Sequence, residues 1–353
     1  KSSLSRKQRA KALAQRERLR TADVLILQEM DIGHCRSGYR NNAEYISKAL
    51  GMNYAYGANQ LEISPEYLTG SYIQEQKYHC EKCLVNTEHR DEYKGLFGIA
   101  VLSKYPIKRV ELKQLETQVY DWYTGESEIP DFLEKGRRAA SSILFKHAHT
   151  RELKLGGRSF MQVDLHIPEL PLETLSIVNI HLEIKASPQQ RKNQVEEILG
   201  YIKPIKNPVV VAGDFNSSPI NVSPTSAPRA IKKIGTSPSS AVSLGLSAAP
   251  VSGLSQAKNI FNYTKNYRNP LAYHVPALLP NHQQSMFCMI RDFRFDDGGA
   301  FDFRGDKASS LRKTGVLSNS NQRYGKGFKF TFNVKRPIGP FGRERLDWFF
   351  VKS

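Results

Sequence analysis

Long hydrophobic runs are absent from this 353-residue chain. No stretch approaches the roughly 18 consecutive apolar residues that a membrane-spanning helix requires, so the sequence encodes no such helix. No secretory leader is legible, so a soluble and by default cytoplasmic protein is the expectation, while the first residues read as an interior segment and leave a lost leader open. Cysteine is scarce as well: Cys35, Cys80, Cys83 and Cys288 are too few for a disulfide scaffold in a chain of this length. Cys80 and Cys83 form a CxxC with His79 beside it, but no second CxxC completes a structural site. Half of a zinc site, a redox pair and plain surface thiols therefore all stay open. Internal repeats and a P-loop are missing, and Gly95 to Gly98 is not the GxGxxG of a dinucleotide site.

Acidic residues are in deficit. The chain carries 34 Asp and Glu against 51 Lys and Arg, a net charge of +17. The excess is uneven. Residues 1–20 hold eight cations against the single Glu17, and residues 303–343 hold ten against the single Asp306. A field of this sign either keeps the surface soluble or favours phosphate-containing polyanions: nucleic acid, phosphoinositides or an anionic membrane surface.

With 40% hydrophobic residues the chain can bury a core. Residues 4–20 read as a basic helix, and Asp23 to Gln28 as a buried strand delivering Glu29 at its end. Residues 41–50 read as a helix capped by Gly51. Further strands are expected at Gly98 to Leu102, Arg138 to Phe145, Phe160 to His166, Leu175 to Leu182, Phe328 to Asn333 and Leu346 to Val351. Of these, Arg138 to Phe145 and Phe160 to His166 read as antiparallel neighbours, with a turn at Gly156-Gly157. A helix is expected from Pro188 to Tyr201. Helices between some strands and hairpins between others imply an α/β protein with mixed sheets rather than a pure parallel sheet. The whole of 1–353 reads as one domain with insertions near 60–95 and 217–310.

The chemistry gathers around Pro208 to Pro219, PVVVAGDFNSSP. Three valines form a strand buried on both faces, and Asp214 and Asn216 follow it two residues apart, as a cation with a bound phosphate oxygen would want. An Asx-type turn leaving the strand is the alternative. Glu29 ends DVLILQE, His181 and Glu183 interrupt IVNIHLE, and Asp347 sits within RLDWFFV, where burial would be costly for an unpaired carboxylate. Each alone reads as a solvated or structurally satisfied residue. Together they mark strand ends on one edge of a layered fold, where functional residues of α/β proteins collect. Carboxylate, amide and imidazole groups without thiolates suit Mg²⁺ or Mn²⁺ acting on phosphate.

The order LQE, NIHLE, GDFN and RLDWFF resembles the endonuclease/exonuclease/phosphatase superfamily, which shares the DNase I-like fold, from about Asp23 to the end. That resemblance implies a four-layer α/β sandwich of two mixed β-sheets flanked by helices. It also implies a Mg²⁺- or Mn²⁺-dependent hydrolase of phosphodiester or phosphomonoester bonds. By position, Glu29 resembles the metal carboxylate, and His181 the histidine at the scissile phosphate. Asp214 resembles the residue that positions the nucleophilic water, Asn216 the group steadying the phosphate oxygens, and Asp347 the carboxylate that orients a second histidine. The family's first-strand Asn and its closing Ser-Asp-His strand have no counterpart among the 353 residues, including the nine histidines. A chain truncated at both ends, with impaired activity in this form, is the expectation. The alternative is a non-catalytic polyanion-binding module on the same fold. Aromatic and basic residues of Arg291 to Phe303 and Tyr324 to Arg336 read either as a substrate groove or as ordinary core and surface.

Overall fold

The computed structural model describes residues 6–63, 93–127, 153–217, 284–302, 331–338, 341–344 and 346–352. The Cys80–Cys83 pair, the strand expected at Arg138 to Phe145 and most of the two expected insertions lie outside these residues. The strands are β1 (Val24–Ile32), β2 (Asn53–Ile63), β3 (Tyr93–Ser103), β4 (Ile107–Gln114), β5 (Leu153–Gly156), β6 (Ser159–His166), β7 (Thr174–His181), β8 (Val209–Asp214), β9 (Phe332–Ile338), β10 (Phe341–Glu344) and β11 (Asp347–Val351). The principal helices are α1 (Arg6–Arg20), α2 (Asn42–Leu50), α3 (Pro188–Ile202) and α4 (Gln284–Asp292). The class is the expected one: α/β, two main β-sheets with helices. Among the described residues, no helix is long and apolar enough to cross a membrane.

By contact density the chain divides into two compact units. The first is Lys1–Gln114, Lys154–Ile180 and Asn207–Val209; the second is Leu115–Leu153, His181–Lys206 and Val210–Ser353.

In the first unit, β3 is the centre of a sheet ordered β1-β3-β2-β5, with β3 antiparallel to β1 and β2. Every β3 residue from Phe97 to Ser103 is buried, as a strand covered on both faces requires. One face, Ala100 and Leu102, packs with Met30, Ala43 and Met52 under α2. That helix starts at Asn41, whose side chain accepts from the Glu44 N–H, and stops at Gly51 in the left-handed region. The second sheet contributes β7, β6 and β4, each antiparallel to the next. Phe160, Met161, Val163, Leu165, Ile177, Val178 and Ile180 of β6 and β7 are all at most 2% exposed.

In this unit one strand was not expected from the sequence and one expected turn has a different role. Strand β4 has no apolar alternation to reveal it, because IKRVELKQ is an edge strand with most of its side chains in solvent. The Gly156-Gly157 turn does not close a hairpin. It passes the chain from β5 in one sheet to β6 in the other, and the Gly157 N–H is taken by Asn59 O.

In the second unit, β8 pairs antiparallel with β11, from Asp347 opposite Asp214 to Val351 opposite Val210. Helix α3 opens with a capping box, Ser187 and Gln190 satisfying each other's backbone N–H, and Pro188 in the first turn. Its buried positions 191, 194, 195, 198, 199 and 202 make one apolar-facing stripe. Phe287 of α4 packs its ring 4.6 Å from Trp348, whose indole N–H donates to Ser217 O. Helix α4 carries no strong cue in the sequence, which reads there as aromatics mixed with charge.

At Gly98 the missing Cβ is a packing requirement. A Cβ would lie 2.1 Å from Gly57 O and 2.8 Å from the Tyr56 hydroxyl. Gly98→Ala is therefore expected to destabilise the fold by about 1–3 kcal/mol, the usual cost of overpacking. Urea unfolding of the variant beside the parent checks this, and an unchanged midpoint would contradict the packing described.

Candidate active site

Glu29 stands on a β-bulge. In the β1–β3 ladder Leu27 pairs with Ala100 and Met30 with Gly98, so Gln28 and Glu29 together oppose Ile99. The extra residue turns the backbone, and Glu29 adopts φ 56°. A left-handed non-glycine residue costs about 1–3 kcal/mol and persists only where its surroundings hold it. Its neighbours are held on both sides. The Leu27 carbonyl accepts from Asn179 Nδ2 at 3.0 Å, and Gln28 Nε2 donates to Asn179 Oδ1 at 2.8 Å. The Met30 carbonyl accepts from the Tyr56 hydroxyl at 3.2 Å. Asp31 takes both prongs of the Arg36 guanidinium, at 2.8 and 2.7 Å. The Glu29 side chain itself is exposed.

Behind Asp31 the same arginine reaches Glu62 Oε2 at 3.1 Å, and His34 Nε2 lies 3.2 Å from Glu62 Oε1. His34 Nδ1 accepts the Arg36 N–H, which places the ring proton on Nε2, toward Glu62 but off the line of an ideal hydrogen bond. Burial alone would raise the Glu62 carboxyl. The His34 ring and the Arg36 charge, with Lys154 further off, outweigh it and hold the group at about 2. Burial, then the Asp31 charge, pushes the Tyr56 phenol well up.

In the second unit, His181 ends β7 and is only 3% exposed. Its Nε2 lies 3.9 Å from Asp214 Oδ2 at the end of β8. Asp214 and Asn216 do not lie on one side of an extended chain, as the sequence suggested. Asn216 has φ 44°, and its N–H bonds back to Asp214 Oδ1 at 2.7 Å: this is the Asx turn that was the alternative reading. The turn sends Asn216 Nδ2 to the Leu182 carbonyl at 2.7 Å, while the Leu182 N–H donates to Asp214 O at 2.9 Å. Leu182, the residue after His181, is thus gripped at both its N–H and its C=O. Turn and site are the same structure.

Asp347 is not buried. It is the first residue of β11, exposed, and the direct ladder partner of Asp214. Direct partners point to the same face with Cβ atoms about 4.5–5.5 Å apart, and two like charges so placed repel. Such a pair is stabilised by positive charge between or beside it.

The sequence reading passed over a strap that holds Glu183. The Glu183 carboxylate accepts from the Trp122 indole N–H at 2.9 Å and from the Lys185 N–H at 3.0 Å. The Lys185 ammonium pairs with Glu126, lies 4.1 Å over the Tyr120 ring and 4.3 Å over the Trp122 ring. Glu197 of α3 takes the backbone N–H groups of Glu116 and Thr117, at 2.7 and 3.1 Å. Residues 116–126 are in this way tied to α3 and to the segment following His181. Glu183 showed as a polar strand end, but nothing local marks Trp122 or Lys185 as its partners.

The profile of the Endonuclease/Exonuclease/phosphatase family matches residues 1–353. The chain belongs to this family. Among solved structures it is similar to an endonuclease/exonuclease/phosphatase from Beutenbergia cavernae, at 12% identity and a TM-score of 0.39, covering 97% of this chain and 65% of that one. It is also similar to the human nocturnin catalytic domain with bound sulfate, at 15% identity and a TM-score of 0.32, covering 67% and 64% of the two chains. A third is ANGEL2, a 2′,3′-cyclic phosphatase in complex with adenosine-2′,3′-vanadate, at 14% identity and a TM-score of 0.39, covering 99% and 75%. The chain thus spans less than two thirds of the length of the first two relatives. No curated protein matches it.

The family implies a divalent cation. Among the described residues no group of three or more His, Cys, Asp and Glu is arranged to cage a metal. An exposed, backbone-fixed Glu29 nevertheless fits a hydrated Mg²⁺, which keeps several waters and takes only one or two carboxylates.

The Glu62 site yields a pH test. Its carboxyl is depressed from 4.5 to about 2, so the folded state favours the ionised form. The stabilisation it provides is full above about pH 4.5 and is lost as pH falls toward 2. Glu62→Gln should lower stability at pH 7 and flatten its decline between these values. Denaturant unfolding across that range decides, and parallel curves for parent and variant would refute the assignment.

Proposed function

We propose that the protein is a divalent-metal-dependent hydrolase of phosphodiester or phosphomonoester bonds in polyanionic substrates. The observation that carries this reading is the meeting of His181 with Asp214, which has Asp347 as its opposite strand partner. A buried imidazole 3.9 Å from a carboxylate at a strand end supplies the acid and base groups that phosphate hydrolysis needs. Family membership supports the same chemistry.

In this reading His181 contacts the scissile phosphate and gives its proton to the leaving oxygen. Asp214, with Oδ1 fixed by the Asn216 N–H, directs its other oxygen to the attacking water. Asn216 donates one amide N–H to Leu182 O and keeps its second amide N–H for a phosphate oxygen. Asp347, the strand partner of Asp214, stands where the family resemblance implies a carboxylate that would orient a second histidine. Glu29 would hold Mg²⁺ or Mn²⁺, which when bound would supply positive charge for phosphate oxygens. The net charge of +17 favours polyanions of every kind, nucleic acid among them, and anionic membrane lipid belongs to the same class.

The test is a substrate panel on the purified protein with Mg²⁺ or Mn²⁺: supercoiled and single-stranded DNA, RNA, sphingomyelin and inositol phosphates. Hydrolysis of one class is expected, abolished by chelation. Asp214→Ala should lower kcat by about 10²- to 10⁴-fold, the range for losing a general base, with substrate binding retained. Hydrolysis undiminished in that variant overturns the proposal. Tight polyanion binding without hydrolysis of any substrate would instead establish the non-catalytic binding module.

A further inference from the structure

We infer that Asn179 is a positioning residue for the metal-site carboxylate, setting the geometry of Glu29 through the β1 bulge. The inference rests on the reading of Glu29 as the metal ligand. Asn179 lies in the middle of the apolar run IVNIHL and is 0% exposed. A strand interior of this kind selects Val or Ile, and a buried amide there must be fully bonded to be tolerated. It is. Nδ2 donates to Leu27 O at 3.0 Å and to Ala100 O at 2.9 Å, and Oδ1 accepts from Gln28 Nε2 at 2.8 Å.

The choice of partners is informative. Leu27 and Ala100 are the last ladder pair before the bulge, and Gln28 is the bulged residue beside Glu29. All three contacts therefore converge where β1 leaves its regular pairing. The amide fixes the carbonyl before the bulge and, through Gln28, the side chain within it. On the far side, Tyr56 holds Met30 O and Arg36 holds Asp31. Glu29 is left as the exposed, left-handed residue between two fixed flanks. A cation that keeps most of its waters gains little from each protein ligand, so the direction of that one carboxylate governs its affinity. A bond serving only to join the sheets would need Leu27 and Ala100. The contact to Gln28 adds nothing to that and much to the bulge.

The test measures Mn²⁺ affinity by calorimetry and thermal unfolding together, on the purified protein and four variants. Gln28→Leu keeps volume and removes the bulge-side donor, and Asn179→Ala removes all three bonds. Each should weaken Mn²⁺ binding by about tenfold or more, the usual effect of losing a partner that orients a ligand. The double variant should bind no worse than Asn179→Ala alone, because both act through one contact. Gln28→Leu should move the melting temperature little, which separates positioning from scaffolding. Glu29→Gln should abolish the binding. If Glu29→Gln binds Mn²⁺ as the parent does, the reading of Glu29 as ligand is what fails. If Glu29→Gln loses binding while Gln28→Leu keeps the parent's affinity, the positioning role is overturned, and that outcome is decisive even if Asn179→Ala does not fold.

Discussion

A single buried amide reconciles two demands that conflict in this fold. The first sheet must be covered on both faces to form a core, yet β1 must break its ladder to present a carboxylate. Breaking a ladder inside a core threatens to leave carbonyl groups without partners, which costs about 1–3 kcal/mol for each one orphaned. Asn179 removes that penalty by donating to Leu27 O and Ala100 O at the last regular pair. The bulge, the left-handed Glu29 and the exposure of its side chain follow from a backbone that can depart from the sheet without losing its hydrogen bonds.

The second unit uses the same device at another strand end. β8 is apolar through Val211 and closes on an Asx turn, and that turn commits both Asp214 Oδ1 and an Asn216 amide N–H to backbone groups. These bonds make the turn rigid and leave Asp214 Oδ2 facing His181. Strand pairing then brings Asp347 opposite Asp214. Around them the apolar packing is dense: Trp348, Phe350, Phe215 and Phe287 are all at most 2% exposed. Where local rules are broken at strand ends and obeyed everywhere nearby, the breaks mark function.

Charge networks of different quality surround the two centres. Arg36 with Asp31 and Glu62 is forked, part-buried and geometrically specific, the arrangement in which an ion pair stiffens a loop. Lys185 between two aromatic faces and Glu126 is equally enclosed. The exposed pairs Arg20–Glu17 and Lys48–Glu44 are screened by solvent and contribute little.

Local sequence was sufficient to show the strands carrying LQE, NIHLE and GDFN, helix α2 with its Gly51 cap, helix α3, the α/β class and the family. Apolar runs, capping residues and polar residues at strand ends leave signatures within a few positions of themselves. The bulge at Glu29, the left-handed Asn216, the pairing of Asp347 with Asp214 and the strap through Trp122 left none. Each is a matter of register or of contact between distant segments. Gln28 meets Asn179 across 151 positions, and Trp122 meets Glu183 across 61. A strand's side chains change face with a one-residue shift, so only the assembled sheet decides which carboxylate faces which. The candidate residues stand out in the sequence by type and position, and the partners each one meets were decided by long-range strand pairing.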